Sequence, residues 1–229
     1  MLKILSWNIQ QGGGTRHLKI IDAIKNIDPH IVVLSEFRNN SRGLAIRNAL
    51  ERAQFKFQIW PETISQKNCV LLASSLLFKG SVFPKCDPNY AHSIVKAEFE
   101  AIEVYGCYLP HKKKHQLIPF LQDQIEKSGK PSIIVGDLNI GVNGIDQKGN
   151  SFWYQDELEA LFESGVVDAF RVINGQVKEY SWYSHQGNGY RYDHSYVSTE
   201  LKNVVTKCYY LHSYREQKCA DHSPMVLEL

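Results

Sequence analysis

The sequence lacks any hydrophobic run that is long enough to cross a membrane. A membrane-spanning helix needs about 20 consecutive apolar residues, and no stretch of this chain approaches that length. The segment from Met1 to Ile9 contains one lysine and a short apolar stretch, which is too brief for a signal peptide. We therefore expect a soluble, cytoplasmic protein that does not act at a membrane.

Closely spaced cysteine pairs are also missing. The five cysteines are odd in number, and no two have the CxxC spacing. A secreted disulfide framework uses an even number of cysteines, and many metal and redox sites use closely spaced pairs. We therefore expect reduced, mostly buried thiols in a cytosolic protein.

Strong charge of either sign and linker-like segments are absent as well. The net charge is only +2, so binding to nucleic acid would have to come from local basic patches. With 229 residues, 43% of them hydrophobic, the chain can bury a large core. Because no repeat or Pro/Ser-rich linker divides it, we expect a single domain over residues 1–229, and a monomer.

The apolar spacing alternates between helical and extended segments. It predicts helices over residues 18–27, 44–55, 115–127 and 152–162. It predicts strands over residues 2–6, 31–34, 132–135, 181–184, 190–197, 204–210 and 225–229, with an antiparallel meander over 57–108. This order does not suit one flat sheet. It favours an α/β (α+β) fold, a four-layer αββα sandwich with two mixed sheets face to face and helices outside.

Five motifs with acid or amide side chains stand at the edges of hydrophobic runs. They are Trp7-Asn8, Ser35-Glu36, Gly136-Asp137-Leu138-Asn139, Arg191-Tyr192-Asp193 and Asp221-His222-Ser223-Pro224. One such motif is more often a strand-end cap or turn than a site, but five together favour a site. Their carboxylates and amides are hard oxygen ligands that suit Mg²⁺ or Mn²⁺, and one imidazole remains for proton chemistry or charge stabilisation.

Two of these motifs have spacings with chemical consequences. Asp137 and Asn139 are two residues apart, so in an extended segment both side chains would point to the same side. A carboxylate that activates water and a neutral donor for a phosphate oxygen would then lie together. The alternative is an Asx turn leading into Gly141. Asp221 and His222 are adjacent and would point to opposite sides of a strand, so the partner that orients His222 must come from another strand.

In their order and spacing, the motifs resemble the endonuclease/exonuclease/phosphatase superfamily, which includes exonuclease III and the abasic-site endonucleases. The resemblance runs from Leu2 to Leu229 and implies the same four-layer sandwich, with the site at one end of the sheets. It implies that Glu36 is the principal Mg²⁺ carboxylate and that Asp221 approaches the metal. It places Asn8 beside the metal, where it orients a neighbouring carboxylate.

The resemblance also implies catalytic roles. Asp137 would activate water, while Asn139 and Tyr108 would contact the phosphate. Asp193 would pair with His222, which would stabilise the pentavalent phosphate or, in the alternative mechanism, act as the base. Arg191 would contact the phosphate or merely brace its loop, and both roles stay open.

The substrate is less well defined. Lys112 and Lys113 belong to a basic run that is either a solvated face or a contact to the phosphate backbone. Trp182 and Tyr190 would stack on a base or an abasic sugar, or would belong to the core. Gln10, Gln11 and the glycines that follow stand where the nucleases place another Asn, and the compact chain leaves little room for duplex-opening insertions.

We therefore expect a Mg²⁺-dependent (or Mn²⁺-dependent) phosphodiester hydrolase, with DNA as the favoured substrate and a role in DNA repair. The alternatives are a phosphatase or small-molecule phosphodiesterase on the same fold, and a non-catalytic binding module. The complete hydrolytic set of residues argues against the binding module.

Overall fold

Two six-stranded sheets form the centre of the molecule. The computed structural model describes residues 1–85, 89–112 and 116–229. Within these residues the strands are β1 (Lys3–Asn8), β2 (Ile31–Phe37), β3 (Phe57–Ile59), β4 (Cys69–Ser74), β5 (Lys79–Val82), β6 (Ile94–Glu98), β7 (Glu103–Tyr108), β8 (Ser132–Asp137), β9 (Val166–Asp168), β10 (Trp182–Tyr183), β11 (Gly189–Tyr190), β12 (Asp193–Ser198), β13 (Lys207–Tyr210) and β14 (Met225–Glu228).

Both sheets are mixed, as expected. The first has the strand order β13-β14-β1-β2-β4-β3, and the second has the order β5-β6-β7-β8-β12-β9. Each contains one parallel pair, β1 with β2 and β7 with β8, and the other neighbours are antiparallel. Strands β10 and β11 form a separate two-stranded ribbon.

Six α-helices lie in the described part of the chain. They are α1 (His17–Ile27), α2 (Ser41–Arg52), α3 (Leu117–Lys127), α4 (Gln155–Glu163), α5 (Ala169–Asn174) and α6 (His212–Glu216). Helix α2 begins earlier than predicted because the Asn40 side chain accepts hydrogen bonds from the backbone of Arg42 and Gly43 and caps the helix. None of the described helices is long and apolar enough to span a membrane.

Three apolar clusters establish the predicted four layers. One joins the outer face of the first sheet to α1 and α2 through residues such as Trp7, Ile20 and Leu50. The second lies between the sheets, where Val33 meets Val95. The third joins the second sheet to α3 and α4. The αββα sandwich is therefore confirmed, with one apolar cluster between the two sheets and one on the outer face of each sheet.

Several local predictions were wrong or incomplete. Helices α5 and α6 were not predicted because five or six residues are too few to show a helical period. Residues 204–210 begin with the end of a 3₁₀ segment (Thr199–Val204), so only Lys207–Tyr210 is a strand. The predicted start of the third helix at His115 lies outside the described residues.

The four cysteines that the structure describes are free and buried, in agreement with the expectation of reduced thiols. They are Cys69, Cys107, Cys208 and Cys219. The remaining cysteine, Cys86, lies outside the described residues.

Candidate active site

Strand ends from both sheets meet at one edge of the sandwich and carry the predicted polar residues. Asn8 is the last residue of β1, Asp137 the last of β8, and Asp193 the first of β12. Asp193 lies opposite Asp137 in the antiparallel pairing of β12 with β8. Because the parallel pairs run in one direction and end at this edge, residues distant in sequence come together there.

Glu36 reaches the site through a distortion of β2. Its φ is 55°, and the pairing of β2 with β4 changes register between Leu34 and Phe37. A left-handed non-glycine residue in a strand is strained, and such strain is frequent at functional sites. The carboxylate accepts hydrogen bonds from Asn8 Nδ2 (3.3 Å), the Gln11 backbone N–H (2.7 Å) and Asn68 Nδ2 (3.0 Å). These donors are all neutral, so they leave its negative charge uncompensated.

Asp137 is buried between the two sheets. Asn8 Nδ2 donates to its Oδ2 at 2.8 Å and to Glu36, so one amide bridges the two carboxylates. The Asn8 Oδ1 atom accepts from the Gln10 backbone N–H at 2.9 Å. This geometry suits the predicted role of Asn8, which is to orient a neighbouring carboxylate.

The segment after Asp137 is an Asx turn and not the extended segment that we predicted. The Asn139 backbone N–H donates to Asp137 Oδ1 at 3.0 Å, and Asn139 has a φ of 50°. The Asn139 amide nevertheless lies on the same side, since its Nδ2 donates to Asp137 Oδ2 at 3.1 Å and to the Leu109 carbonyl at 2.9 Å. The turn and the proximity of the two side chains therefore coexist.

His222 pairs with a carboxylate from another strand. Its Nδ1 lies 2.7 Å from Asp193 Oδ2, and both side chains are buried. Burial alone would lower the pKa of His222, but the charge and hydrogen bond of Asp193 outweigh it and raise the pKa to about 10. His222 is therefore an imidazolium at neutral pH. The Trp7 indole also donates to the His222 carbonyl at 3.0 Å and fixes the backbone there.

The acidic residues of the site fit a hard divalent cation. Ligand atoms of Asp137, Asp193 and His222 lie within 4.8 Å of one another. Among the described residues, Asp193 Oδ1 and Asp221 Oδ1 are buried without a hydrogen-bond partner. Burial raises the pKa of Asp137 to about 7, although the charge of His222 opposes this rise. Buried, unpaired carboxylate oxygens are costly, so a cation that they could share would relieve the cost.

Tyr108 ends β7 beside this cluster. Burial raises the pKa of its hydroxyl above the ordinary range, and the charges of Glu36 and Asp137 add to the rise. The phenol stays protonated and remains a donor at neutral pH.

An aromatic pocket of about 400 Å³ opens next to Asn139. Tyr190 and Tyr192 stack with their ring centroids 5.2 Å apart, and the Trp182 ring lies 5.6 Å from Tyr192 and 6.3 Å from His222. The Trp182 indole also donates to Asp221 Oδ2 at 3.3 Å. The aromatic side chains of the pocket therefore lie next to the polar cluster.

Lys112 and Trp153 form the outer rim of the same pocket. The Lys112 ammonium lies 4.9 Å from the Trp153 ring centroid, and Trp153 is 59% exposed. An exposed tryptophan with a cation at its face is a suitable stacking surface. Lys113, the other predicted contact, lies outside the described residues.

Arg191 lies inside the fold, which favours the bracing role over contact with the phosphate. The side chain is fully buried, with Nε and Nη2 donating to Asp146 at 2.8 and 2.9 Å and Nη1 to Asp168 at 3.3 Å. A guanidinium between two buried carboxylates cannot reach a substrate. Together with His194 these two acids could hold a metal, but Arg191 already supplies the positive charge.

Asn68 and Ser181 were missed from the sequence, and Ser35 was named in a motif without a role. Asn68 donates to Glu36, and the Ser181 hydroxyl accepts from the Asp193 backbone at 3.3 Å. The Ser35 hydroxyl accepts from the Asp137 backbone at 3.2 Å and donates to the Cys107 carbonyl at 3.0 Å, which links the two sheets. Asn68 could have been found from its position, because it immediately precedes the apolar run Cys69–Ser74, as a polar residue at the end of a strand.

Known structures share this fold over nearly the whole chain. An AP endonuclease from Archaeoglobus fulgidus has a TM-score of 0.85 at 21% identity, covering 99% of this chain and 98% of that chain. The 3′ phosphatase NExo from Neisseria, bound to a product DNA hairpin, has a TM-score of 0.86 at 18% identity, covering 100% and 99%. The 3′-5′ exonuclease NExo from Neisseria meningitidis has a TM-score of 0.85 at 18% identity, with the same coverage.

Sequence comparison gives the family directly. A search of curated proteins found no match. The sequence profile of the Endonuclease/Exonuclease/phosphatase family, in contrast, matches residues 5–222, a span that contains every residue of the polar cluster. This chain belongs to the Endonuclease/Exonuclease/phosphatase family.

Proposed function

We propose that this protein is a Mg²⁺-dependent (or Mn²⁺-dependent) phosphodiester hydrolase that cleaves DNA by in-line attack of water. The observation that carries the proposal is the group of the half-buried Glu36 and the buried Asp137 and Asp193 beside a charged His222, at the mouth of an aromatic pocket. Carboxylates that face one another require a cation, and an adjacent imidazolium suits an anionic substrate.

Glu36, Asp221 and the free oxygen of Asp193 would hold the cation, which would neutralise phosphate charge when bound. Asp137 acts on the attacking water. Burial raises the pKa of its carboxyl group above the ordinary range of an aspartate, which makes the carboxylate a stronger general base. Asn8 and Asn139 hold its carboxylate in place through three hydrogen bonds.

His222 stabilises the negative charge that develops on the phosphate. At neutral pH both ring nitrogens carry protons, so Nε2 donates a hydrogen bond and cannot accept a proton. This argument favours charge stabilisation over the alternative in which His222 is the base. The protonated Tyr108 hydroxyl would supply a further donor to the phosphate oxygens. Asn139 would do so only by exchanging one of its two amide hydrogen bonds, to Asp137 and to the Leu109 carbonyl.

The aromatic pocket supports a nucleotide substrate. Trp182 and Tyr190 offer ring faces to a base or sugar next to the scissile phosphate, and Trp153 with Lys112 continues the surface outward. One structural relative, the 3′ phosphatase NExo, is bound to a DNA hairpin. Abasic-site cleavage and a role in DNA repair are the narrower forms of the same proposal.

A phosphatase acting on a terminal phosphate is the second candidate. The observation that favours it is the net charge of only +2, which provides little long-range attraction to a polyanion. The same residues would serve, because hydrolysis of a monoester needs the same neutralisation of phosphate charge.

We further propose that residues 1–229 act as one catalytic domain, as a cytoplasmic monomer. The free, buried thiols support a reducing compartment, and sedimentation equilibrium of the purified protein tests the monomer.

A panel of labelled substrates separates the candidates. Purified protein with Mg²⁺ is incubated with single-stranded, duplex, nicked and abasic DNA, and with a DNA strand that ends in a 3′ phosphate. Shortened or nicked strands indicate the nuclease, and phosphate release without strand shortening indicates the phosphatase. Glu36→Gln is the matched control, because it removes the charge and preserves the shape. Absence of turnover on every substrate would contradict both proposals and would favour the alternative of a non-catalytic binding module.

A further inference from the structure

A second cavity, of about 300 Å³, opens on the Glu36 side of the polar cluster. The aromatic pocket opens beside Asn139 and Trp182 and shares no lining residue with it. The second cavity reaches the cluster through Asn68 and Tyr108, which both line its wall. A substrate at the cluster would therefore have a pocket on each side.

The lining of this second cavity is basic. Arg38 and Lys67 contribute two positive charges, and no carboxylate lines it among the residues that the structure describes. Arg38 Nε donates to Asn68 Oδ1 at 2.6 Å. In the described ranges the two terminal nitrogens of Arg38 make no hydrogen bond, so the outer part of the guanidinium can bind an anion.

Ser93 provides an independent indication of a ligand. The residue is 1% exposed and belongs to the lining of the cavity, and its buried hydroxyl oxygen has no hydrogen-bond partner among the described residues. Its backbone groups are already engaged, with the N–H donating to the Tyr90 carbonyl and the carbonyl accepting from the Tyr108 N–H. A buried hydroxyl without a partner is destabilising, and an anion bound in the cavity would accept a hydrogen bond from it.

The cavity is joined to the cluster by one side chain. Asn68 accepts from Arg38 and donates to Glu36 Oε2 at 3.0 Å. An anion beside Arg38 would thus be connected through Asn68 to Glu36, the residue that would hold the cation at the cleaved phosphate. A phosphate bound there would belong to a neighbouring nucleotide of the same strand.

We propose that the cavity formed by Arg38, Lys67 and Ser93 binds a second phosphate, that of the nucleotide next to the scissile one. This inference rests on the proposed function and narrows it, because the preferred substrate then carries at least two phosphate groups. A lone phosphomonoester would leave the cavity without its ligand and would bind more weakly.

Neutral phosphate analogues test the proposal without requiring turnover. Fluorescent thymidine tetranucleotides carry one methylphosphonate, placed at each linkage in turn, and their binding is measured by anisotropy with Mg²⁺ in the Asp137→Asn background. Besides the scissile linkage, we expect one further position at which the neutral linkage weakens binding about tenfold, the size of a lost charge-assisted hydrogen bond. At that position the double variant Lys67→Gln/Ser93→Ala, which keeps only Arg38 of the three residues, should lose clearly less.

The proposal is tested by comparing how much the neutral linkage weakens binding in each protein variant. Lys79→Gln, which removes an exposed charge on β5 away from the cavity, should leave the tenfold effect intact. If Ser93→Ala impairs folding, Lys67→Gln alone should still reduce the effect. The proposal would be overturned if the neutral linkage weakened binding equally in proteins with and without the cavity substitutions. It would also be overturned if no tetranucleotide bound. If the cavity substitutions reduce the effect of the neutral linkage but the protein hydrolyses no substrate, the phosphate site would be supported and the proposed activity rejected.

Discussion

Arg191 should be essential for stability and should not contact the substrate. The guanidinium lies between Asp146 and Asp168, whose side chains are 0% and 8% exposed. Arg191→Met removes the cation and leaves two carboxylates buried. Breaking a buried ion pair by removing one partner typically costs about 3–5 kcal/mol. Because a domain of this kind is stable by only about 5–15 kcal/mol, a large fraction of its stability would be lost.

Arg171→Met is the matched control. Arg171 also pairs with Asp146, but its side chain is 15% exposed and its loss leaves Arg191 in place. A partly exposed pair contributes about 1 kcal/mol or less. Urea unfolding followed by circular dichroism measures both variants, and the Arg191 variant should show the much larger decrease in free energy of unfolding.

The pH dependence of stability provides an internal check. Burial alone would raise the pKa of Asp168, but Arg191 outweighs it and holds the pKa well below its usual range. The stabilisation is therefore present above about pH 4, the pKa of an unfolded Asp, and is lost as the pH falls. In Arg191→Met the sign should reverse, and acid should stabilise the protein. If Arg191→Met left the stability unchanged but abolished hydrolysis, this reasoning would be refuted and a contact between Arg191 and the phosphate would be favoured.

Three further predictions concern the site. Mg²⁺ should raise the thermal unfolding temperature, because it binds only the folded cluster, and Glu36→Gln should abolish this rise. Lys112→Ala should weaken DNA binding and reduce the slope of log affinity against log salt by about one; an unchanged slope would make Lys112 a solvated lysine. His222, with a pKa of about 10, should keep its charge until the pH rises through that value, so the alkaline fall in rate should begin earlier in Asp193→Asn.

The sequence predicted the layers and the strand ends because both depend on local periodicity. The apolar runs before Glu36 and Asp137 placed these residues at the edge of the sheets, and the structure has them there. The pairing of Asp193 with His222 came from the family resemblance, since nothing local connects residues 29 positions apart. The left-handed backbone at Glu36 gives no sequence signal, because it follows from the bulge against β4.

Arg191 illustrates why the rest could not be predicted. Its partners lie 45 and 23 residues earlier in the chain, so the position of its side chain depends on tertiary packing. An arginine two residues before a catalytic carboxylate invites a substrate role, whereas its side chain points into the fold. Asn68 was missed for a similar reason, since it contacts Glu36 only because β4 pairs with β2.

The most direct test of the central claim is the rate of Mg²⁺-dependent DNA hydrolysis by Asp137→Asn, His222→Ala and the double variant. We expect each single variant to lose about 10²-fold or more in turnover, the effect of removing a positioned base or charge stabiliser, while it stays folded and binds DNA. Because both act on one transition state, the double variant should be scarcely slower than the more impaired single variant. Near-normal turnover in either single variant, or full cleavage in excess chelator, would contradict the account.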